Sequence, residues 1–261
     1  MRTVLICHHD SRVDVEGLTR WLASFTDLVG VIVLEEEPSR LYKRVRAEVR
    51  RIGPFRFPDV LAMRFYARMK LAGAYAEWEA DQLEALSESY PQFDSPPVLM
   101  THSPNSPESE QFLSDVEPDL MIARCKTLLA ERIFTIPRIG TFVLHPGICP
   151  EYRNAHGCFW ALANDDMDKV GLTLLKIDVG VDTGPVFGYF SYDFDEVLES
   201  HLVIQQRVLF ENLREIQDRF LEIESGVASP IDISGRPSAV WGQPWLSRFL
   251  SWKRAARRRA E

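Results

Sequence analysis

No apolar stretch of the sequence approaches the ~18–20 residues that cross a bilayer. Cysteine is scarce, four in 261 residues. Cys7, Cys125, Cys149 and Cys158 lie far apart with no C-x-x-C pair, which excludes a disulfide framework or a zinc ribbon and places the chain in a reducing compartment, the cytoplasm. The N-terminus carries one basic residue and a very short apolar run, Val4-Leu5-Ile6-Cys7; it reads as a first strand, not a leader. A glycine-rich phosphate cradle is missing where the first strand ends, since that segment is Cys7-His8-His9-Asp10-Ser11-Arg12. No internal repeat and no low-complexity tract is present. Disorder is excluded by 46% apolar residues with 15 Phe, 7 Tyr and 6 Trp.

What is present is an acidic chain, net charge −8, with two basic zones. Residues 40–70 hold ten Lys and Arg against Glu48 and Asp59, and residues 248–261 hold six against Glu261. Such zones point either to an anionic partner or to solvated helix faces.

The hydrophobic pattern alternates strand and helix. Residues 2–7 and Leu28–Leu34 are continuous apolar strands flanking a helical spacing over Val13–Thr26, a βαβ unit. A basic helical insert is expected over about 38–90, broken at Gly53-Pro54. Further strands are expected at Val98–Thr101, Asp119–Ala123 and Thr141–Leu144, and a hairpin at Leu172–Ile177 and Val186–Tyr192. Ser103–Glu110 reads as a loop before a short helix at Gln111–Val116, and short helices fall at Glu131–Thr135 and Gly157–Ala163. Leu198–Ile223 reads as one closing helix, followed by a Trp-containing tail. The fold class is α/β, a Rossmann-like, mostly parallel sheet with helices on both faces. A catalytic domain is expected over 1–200, and a C-terminal helix plus basic tail over 201–261.

Ligands of such sheets bind beyond the C-terminal ends of strands, and three loops there carry reactive side chains. Cys7-His8-His9-Asp10 holds metal-ligand types, but consecutive side chains diverge and no second pair is spaced to help; it is read as pocket floor, without metal. The second is His145-Pro146-Gly147-Ile148-Cys149-Pro150-Glu151-Tyr152-Arg153-Asn154-Ala155-His156-Gly157, and the third Asp178-Val179-Gly180-Val181-Asp182-Thr183-Gly184-Pro185.

Together the second and third loops resemble the folate-dependent formyltransferase family, over about residues 95–195. That family includes glycinamide ribonucleotide, methionyl-tRNA and sugar N-formyltransferases. The resemblance implies a Rossmann-like fold and transfer of a formyl group from 10-formyltetrahydrofolate to a primary amine. It implies catalytic roles for His145 and Asp182, and it places the family's Asn at Val143, a departure. Asn154 is the candidate replacement donor, with His156 beside it; the rival reading gives Asn154 only a left-handed turn, which Asn tolerates. Tyr152, Arg153, His156, His8, His9 and Asp10 are expected on the acceptor side. Lys126, Thr127, Leu128, Leu129, Asp178, Val179 and Gly180 are expected to hold the folate, chiefly through backbone groups, Asp178 being either a pocket carboxylate or a turn-former.

About 60 residues follow residue 200, which by resemblance disfavours the methionyl-tRNA branch. The missing phosphate loop disfavours the glycinamide ribonucleotide branch. A small-molecule amine, with an amino sugar as nearest analogy, is the expected acceptor. Other readings stay open: a non-catalytic folate binder, or another acyl or carbamoyl transfer or formyl-donor hydrolysis on the same scaffold. Trp245, Phe249 and Trp252 share one side of a basic helical segment. That segment is either a solvated tail or an interfacial helix on an anionic membrane surface, which would make the protein peripheral to the membrane. No recognised module supports nucleic-acid binding.

Overall fold

A computed structural model describes residues 1–35, 45–46, 48–91 and 94–261. The start of the expected basic insert, from Pro38, lies outside the described residues.

Seven strands form one sheet: β1 (Arg2–His8), β2 (Asp27–Leu34), β3 (Val98–Thr101), β4 (Leu120–Arg124), β5 (Gly140–Pro146), β7 (Leu172–Lys176) and β8 (Val186–Phe190). Their order is β3-β2-β1-β4-β5-β7-β8. The first five are parallel, and β7 and β8 run antiparallel as the expected hairpin. A short β6 (Arg153–Asn154) pairs in parallel with β9 (Val240–Trp241).

Alternation along each strand assigns side chains to two layers. On one face Leu5, Cys7, Val31, Ile122, Phe142 and Leu174 meet Trp21 and Leu22 of α1 (Thr19–Phe25) and the helices α7 (His201–Phe210) and α8 (Leu213–Glu224). On the other, Val4, Ile6, Ile32 and Met121 meet Leu113 of α4 (Pro107–Val116) and Ile133 of α5 (Glu131–Phe134). A third apolar cluster joins α2 (Phe57–Tyr66), α6 (Gly157–Ala163) and α9 (Leu246–Ala260). Between α2 and β3 runs α3 (Ala72–Ser89), so helix fills the insert to Ser89. The core crosses residue 200, because α7 and α8 pack under the same sheet as α1.

Three expectations need correction. The polar stretch before Gln111 is not all loop: α4 starts at Pro107, capped by Ser106, whose Oγ accepts the Ser109 N–H. The closing helix is two helices. It starts late because Ser200 caps His201–Phe210, and it breaks where the Asn212 side-chain amide donates to the Val208 carbonyl at 2.7 Å and to Ser191 at 3.0 Å. The tail is not a free amphipathic surface: Phe249 and Trp252 are buried against α6 and α2, so these rings face protein rather than lipid.

No described helix is long and apolar enough to cross a membrane. The second half of the insert also turns inward: the Arg56 guanidinium lies 4.7 Å from the Trp245 ring, and Asp59 accepts the Ser247 N–H.

Strand order reverses between β1 and β4, where doubly wound sheets usually open a ligand crevice. Here a buried ion pair occupies it. Arg124 Nε lies 3.1 Å from Asp14, and the other guanidinium nitrogens donate to the Leu144 carbonyl and to Gln206. Arg124→Ala leaves Asp14 buried without its charge, so it should cost about 3–5 kcal/mol in denaturant unfolding. The double variant Arg124→Met/Asp14→Leu, which removes both charges, should cost clearly less than the single one.

Candidate active site

The site stands one strand beyond that crevice, at the end of β5. Val143 and His145 alternate with the core residues Phe142 and Leu144 and so share the opposite face. Val143 packs beside Cys149, Leu175 and Val186. The loop after β5 then folds back tightly. Gly147 has φ +157°, and a Cβ on it would lie 2.8 Å from the Gly157 Cα and 3.0 Å from His145 Nε2. A Cβ on Gly157 would lie 2.6 Å from the Gly147 Cα. Two glycines in contact thus let the loop return far enough for the Tyr152 carbonyl to meet His145 Nε2 at 2.8 Å.

The other nitrogen of the ring faces Asp182: His145 Nδ1 lies 3.6 Å from Asp182 Oδ2. Both neighbours are acceptors, so whichever nitrogen carries the proton has a partner for it. Asp182 reaches this position because the β7–β8 loop folds over the sheet face, with Asp182 itself at φ +50°. Its carboxylate accepts the Asn154 backbone N–H at 2.7 Å. His145 is nearly buried, and Asp182 is largely so.

Asn154 therefore serves the site through its backbone. Its φ is +77°, and its side-chain amide donates to the Trp241 carbonyl. The structure shows the left-handed turn, with the side chain braced on Trp241 through one of its two N–H groups. Tyr152 is corrected: its ring is buried, stacks on Trp241 at 5.5 Å, and its hydroxyl donates to Asp166. Only its carbonyl touches His145. His156 caps α6 at φ +55°, with Nδ1 3.3 Å from the Gln205 side-chain oxygen. Burial pushes its imidazole down to about 4.

Asp178 is a turn-former, its Oδ1 accepting the Gly180 N–H at 2.9 Å and the Thr183 hydroxyl at 2.7 Å. Val179 is exposed. Lys126–Leu129 follow β4. The Lys126 N–H donates to His8 Nε2, the Cys125 thiol donates to the Thr127 carbonyl, and Asn105 donates to the Leu128 carbonyl while its own oxygen accepts the Ala130 N–H. Leu128 is exposed. His8 is buried by that contact, whereas His9 and Asp10 line a cavity of about 460 Å³ with Leu34, Glu35 and His102. That cavity lies at the ends of β1, β2 and β3, and the end of β4 separates it from His145.

The tail supplies what the sequence reading missed. β9 lies along β6, the Arg153 N–H donates to Ala239, and the Ala239 N–H donates to Pro150. Trp241 stacks between Tyr152 and Trp160 and donates its indole N–H to the Glu151 carbonyl. Arg236 grips Glu151 through two bonds of 2.9 and 2.7 Å. Burial opposes ionisation of Glu151, but the Arg236 hydrogen bonds outweigh it and hold the carboxyl below its ordinary value. The spacing of Trp241 and Arg236 carries no helical or strand period, so no local signal marks them.

Fold and site together define a Rossmann-like α/β protein with a buried His–Asp pair at the edge of its parallel strands. The formyl transferase family model matches residues 76–214, more than half of the sequence, and the chain belongs to that family. It is 28% identical over 135 residues to methionyl-tRNA formyltransferase of Thermotoga maritima, and 31% over 132 residues to that of Thermotoga neapolitana. These alignments cover 49% and 50% of this chain but only 43% and 41% of the relatives. In fold it is similar to phosphoribosylglycinamide formyltransferase of Bacillus halodurans, with a TM-score of 0.52 at 13% identity over 86% of this chain and 97% of the other. It is likewise similar to a sugar N-formyltransferase of Shewanella sp., with a TM-score of 0.55 at 13% identity over 93% and 77%.

Removing the Trp241 ring should loosen the loop that carries Asn154. Trp241→Ala is expected to cost about 3 kcal/mol, the low end for truncating a packed aromatic, and to speed hydrogen exchange at the Asn154 amide. A pH dependence follows from the buried imidazoles. Burial holds His201 well below its ordinary value as it does His156, and His156 further opposes charging of His201. The unfolded chain binds these protons first as pH falls, so stability should drop between the ordinary histidine range near 6.5 and about 4. His156→Asn, which keeps a residue tolerant of positive φ, should flatten that drop in thermal melts taken across the same range.

Proposed function

We propose that the protein transfers a formyl group from 10-formyltetrahydrofolate to the primary amine of a small molecule, an amino sugar being the leading acceptor class. The observation that carries the reading is the His145–Asp182 pair, held from both sides by the Tyr152 carbonyl and the Asn154 N–H, in a chain of the formyl transferase family.

The chemistry suits this pair. An attacking amine must lose a proton, and the departing folate nitrogen must gain one; a histidine within reach of both can carry it. Asp182 fixes the ring and offsets the positive charge that forms on it during the transfer. Its own position is fixed by a backbone donor, so little rearrangement is needed as charge develops.

The segments after β4 and β7 fit a planar heterocycle. Each presents an exposed apolar side chain, Leu128 or Val179, on backbone stiffened by Asn105 or Asp178. The carbonyls of Thr127 and Leu128 each keep a second lone pair for a ligand. The bound folate supplies the activated formyl carbon. The cavity of His9, Asp10, Glu35 and His102 offers two carboxylates and two imidazoles, groups suited to a hydroxylated amine and not to a phosphate.

Consumption of 10-formyltetrahydrofolate by the full-length chain should therefore depend on added amine, read across a panel of amino sugars. His145→Gln and Asp182→Asn should each lower the rate by about 10²–10⁴-fold, while calorimetric affinity for 5-formyltetrahydrofolate changes little. Formate release without any amine would redirect the reading to donor hydrolysis. Absence of folate binding by folded protein would end it.

A further inference from the structure

The addition step places negative charge on the formyl oxygen, and water-excluded sites need a donor there. Around His145 most side-chain donors are engaged. One N–H of the Asn154 amide is on Trp241, the Tyr152 hydroxyl is on Asp166, the Tyr189 hydroxyl on the Cys149 carbonyl, and the Thr173 hydroxyl on the Gly147 carbonyl. His145 faces Tyr152 and Asp182, and Val143 is apolar.

Arg153 is the exception. Its Nη1 donates to the Val181 carbonyl at 3.0 Å, alongside Asp182. Its Nε is shielded from solvent and has no hydrogen-bond partner. No carboxylate pairs with it among the described residues. A buried N–H left unmet is a free-energy cost, and so is a half-buried cation without a counter-charge. β6 and its pairing with β9 hold the Arg153 backbone, so the side chain is aimed by the tail.

We propose that the Arg153 guanidinium, whose Nε–H the chain alone leaves unpartnered, is the hydrogen-bond donor to the formyl oxygen as negative charge builds on it. This rests on the formyl-transfer reading above. The amine lone pair forms the new C–N bond, and the carbonyl π pair moves onto oxygen, where Arg153 receives it. When the pair returns, the bond to the folate nitrogen breaks with its electrons on that nitrogen, which takes a proton. The amine gives up one proton, and the products are a formamide and tetrahydrofolate. A guanidinium here replaces a neutral donor with a charged one, and the fixed plane of its N–H groups gives direction as well as charge.

The test uses formate as a small oxyanion probe as well as turnover. Line broadening of carbon-13 formate should report binding to the wild-type chain. Arg153→Ala should weaken it about tenfold or more, and Arg153→Lys, which keeps the charge but not the planar donor, should be intermediate. With 10-formyltetrahydrofolate and an accepted amine, Arg153→Ala should lower kcat by about 10²–10³-fold with little change in KM. Added guanidinium should restore part of that rate.

Unchanged formate affinity in a folded Arg153→Ala variant, or unchanged kcat, overturns the proposal. Failure of both variants to fold marks Arg153 as a structural residue and overturns it as well. Arg153-dependent formate binding in a chain that formylates no amine supports the oxyanion site and sinks the formyl-transfer reading alone.

Discussion

The 2.7 Å hydrogen bond from the Asn154 N–H to the Asp182 carboxylate is the contact on which the site turns. It ties the loop after β5 to the loop between β7 and β8. Asn154 belongs to the two-residue β6 while Asp182 lies in no regular element, and both residues hold positive φ. With the bond in place, Asp182 stands beside His145 and Val181 beside Arg153. The backbone of the loop after β5 is then clamped from outside by Trp241 and Arg236. The reactive side chains are few; most of the nearby structure exists to hold two loops at one separation, as preorganised electrostatics requires.

Charge is arranged by the same packing. Arg124 fills the sheet's switch point and donates to the Leu144 carbonyl, one residue before His145. The basic C-terminal helix is anchored by Phe249 and Trp252 and by Lys253, whose ammonium burial pushes down to about 8 while it donates to the carbonyls of Glu196 and Val197. Arg259 pairs with Asp165 and Glu196. Of the positive charge that suggests an anionic partner, Arg259 is thus matched inside the chain, whereas Arg254 and Arg257 line a cavity of about 380 Å³ beside Tyr66 and Leu198.

The sheet was legible because continuous apolar runs and period-two alternation are local signals. β2, β5 and the β7–β8 hairpin fall within a residue or two of their expected positions. The missed boundaries, Pro107, His201 and Glu211–Asn212, are set by side-chain hydrogen bonds of Ser106, Ser200 and Asn212, which periodicity does not register. His145 and Asp182 were legible through a motif, and the structure brings them together. The acceptor-side grouping was not. Tyr152 and Arg153 are adjacent in sequence, yet one ring is buried against Trp241 while the other side chain runs to Val181. The sequence relatives named are methionyl-tRNA enzymes matched over about two-fifths of their length, whereas the fold neighbours named are a phosphoribosylglycinamide and a sugar N-formyltransferase.

The sequence by itself determined an α/β sheet with helices on both faces, the position of its strands, and a His–Asp pair at the strand ends. The sheet follows from hydrophobic period and from residue types within short windows, and the His–Asp pair from the resemblance of two loop motifs to a known family. The tertiary structure alone decided which donors remain free. Asn154 commits one side-chain N–H to Trp241 across 87 residues, and Arg153 keeps an unmet Nε between loops that meet only on folding. A hydrogen-bond inventory is a property of three-dimensional neighbours, and no local pattern encodes it.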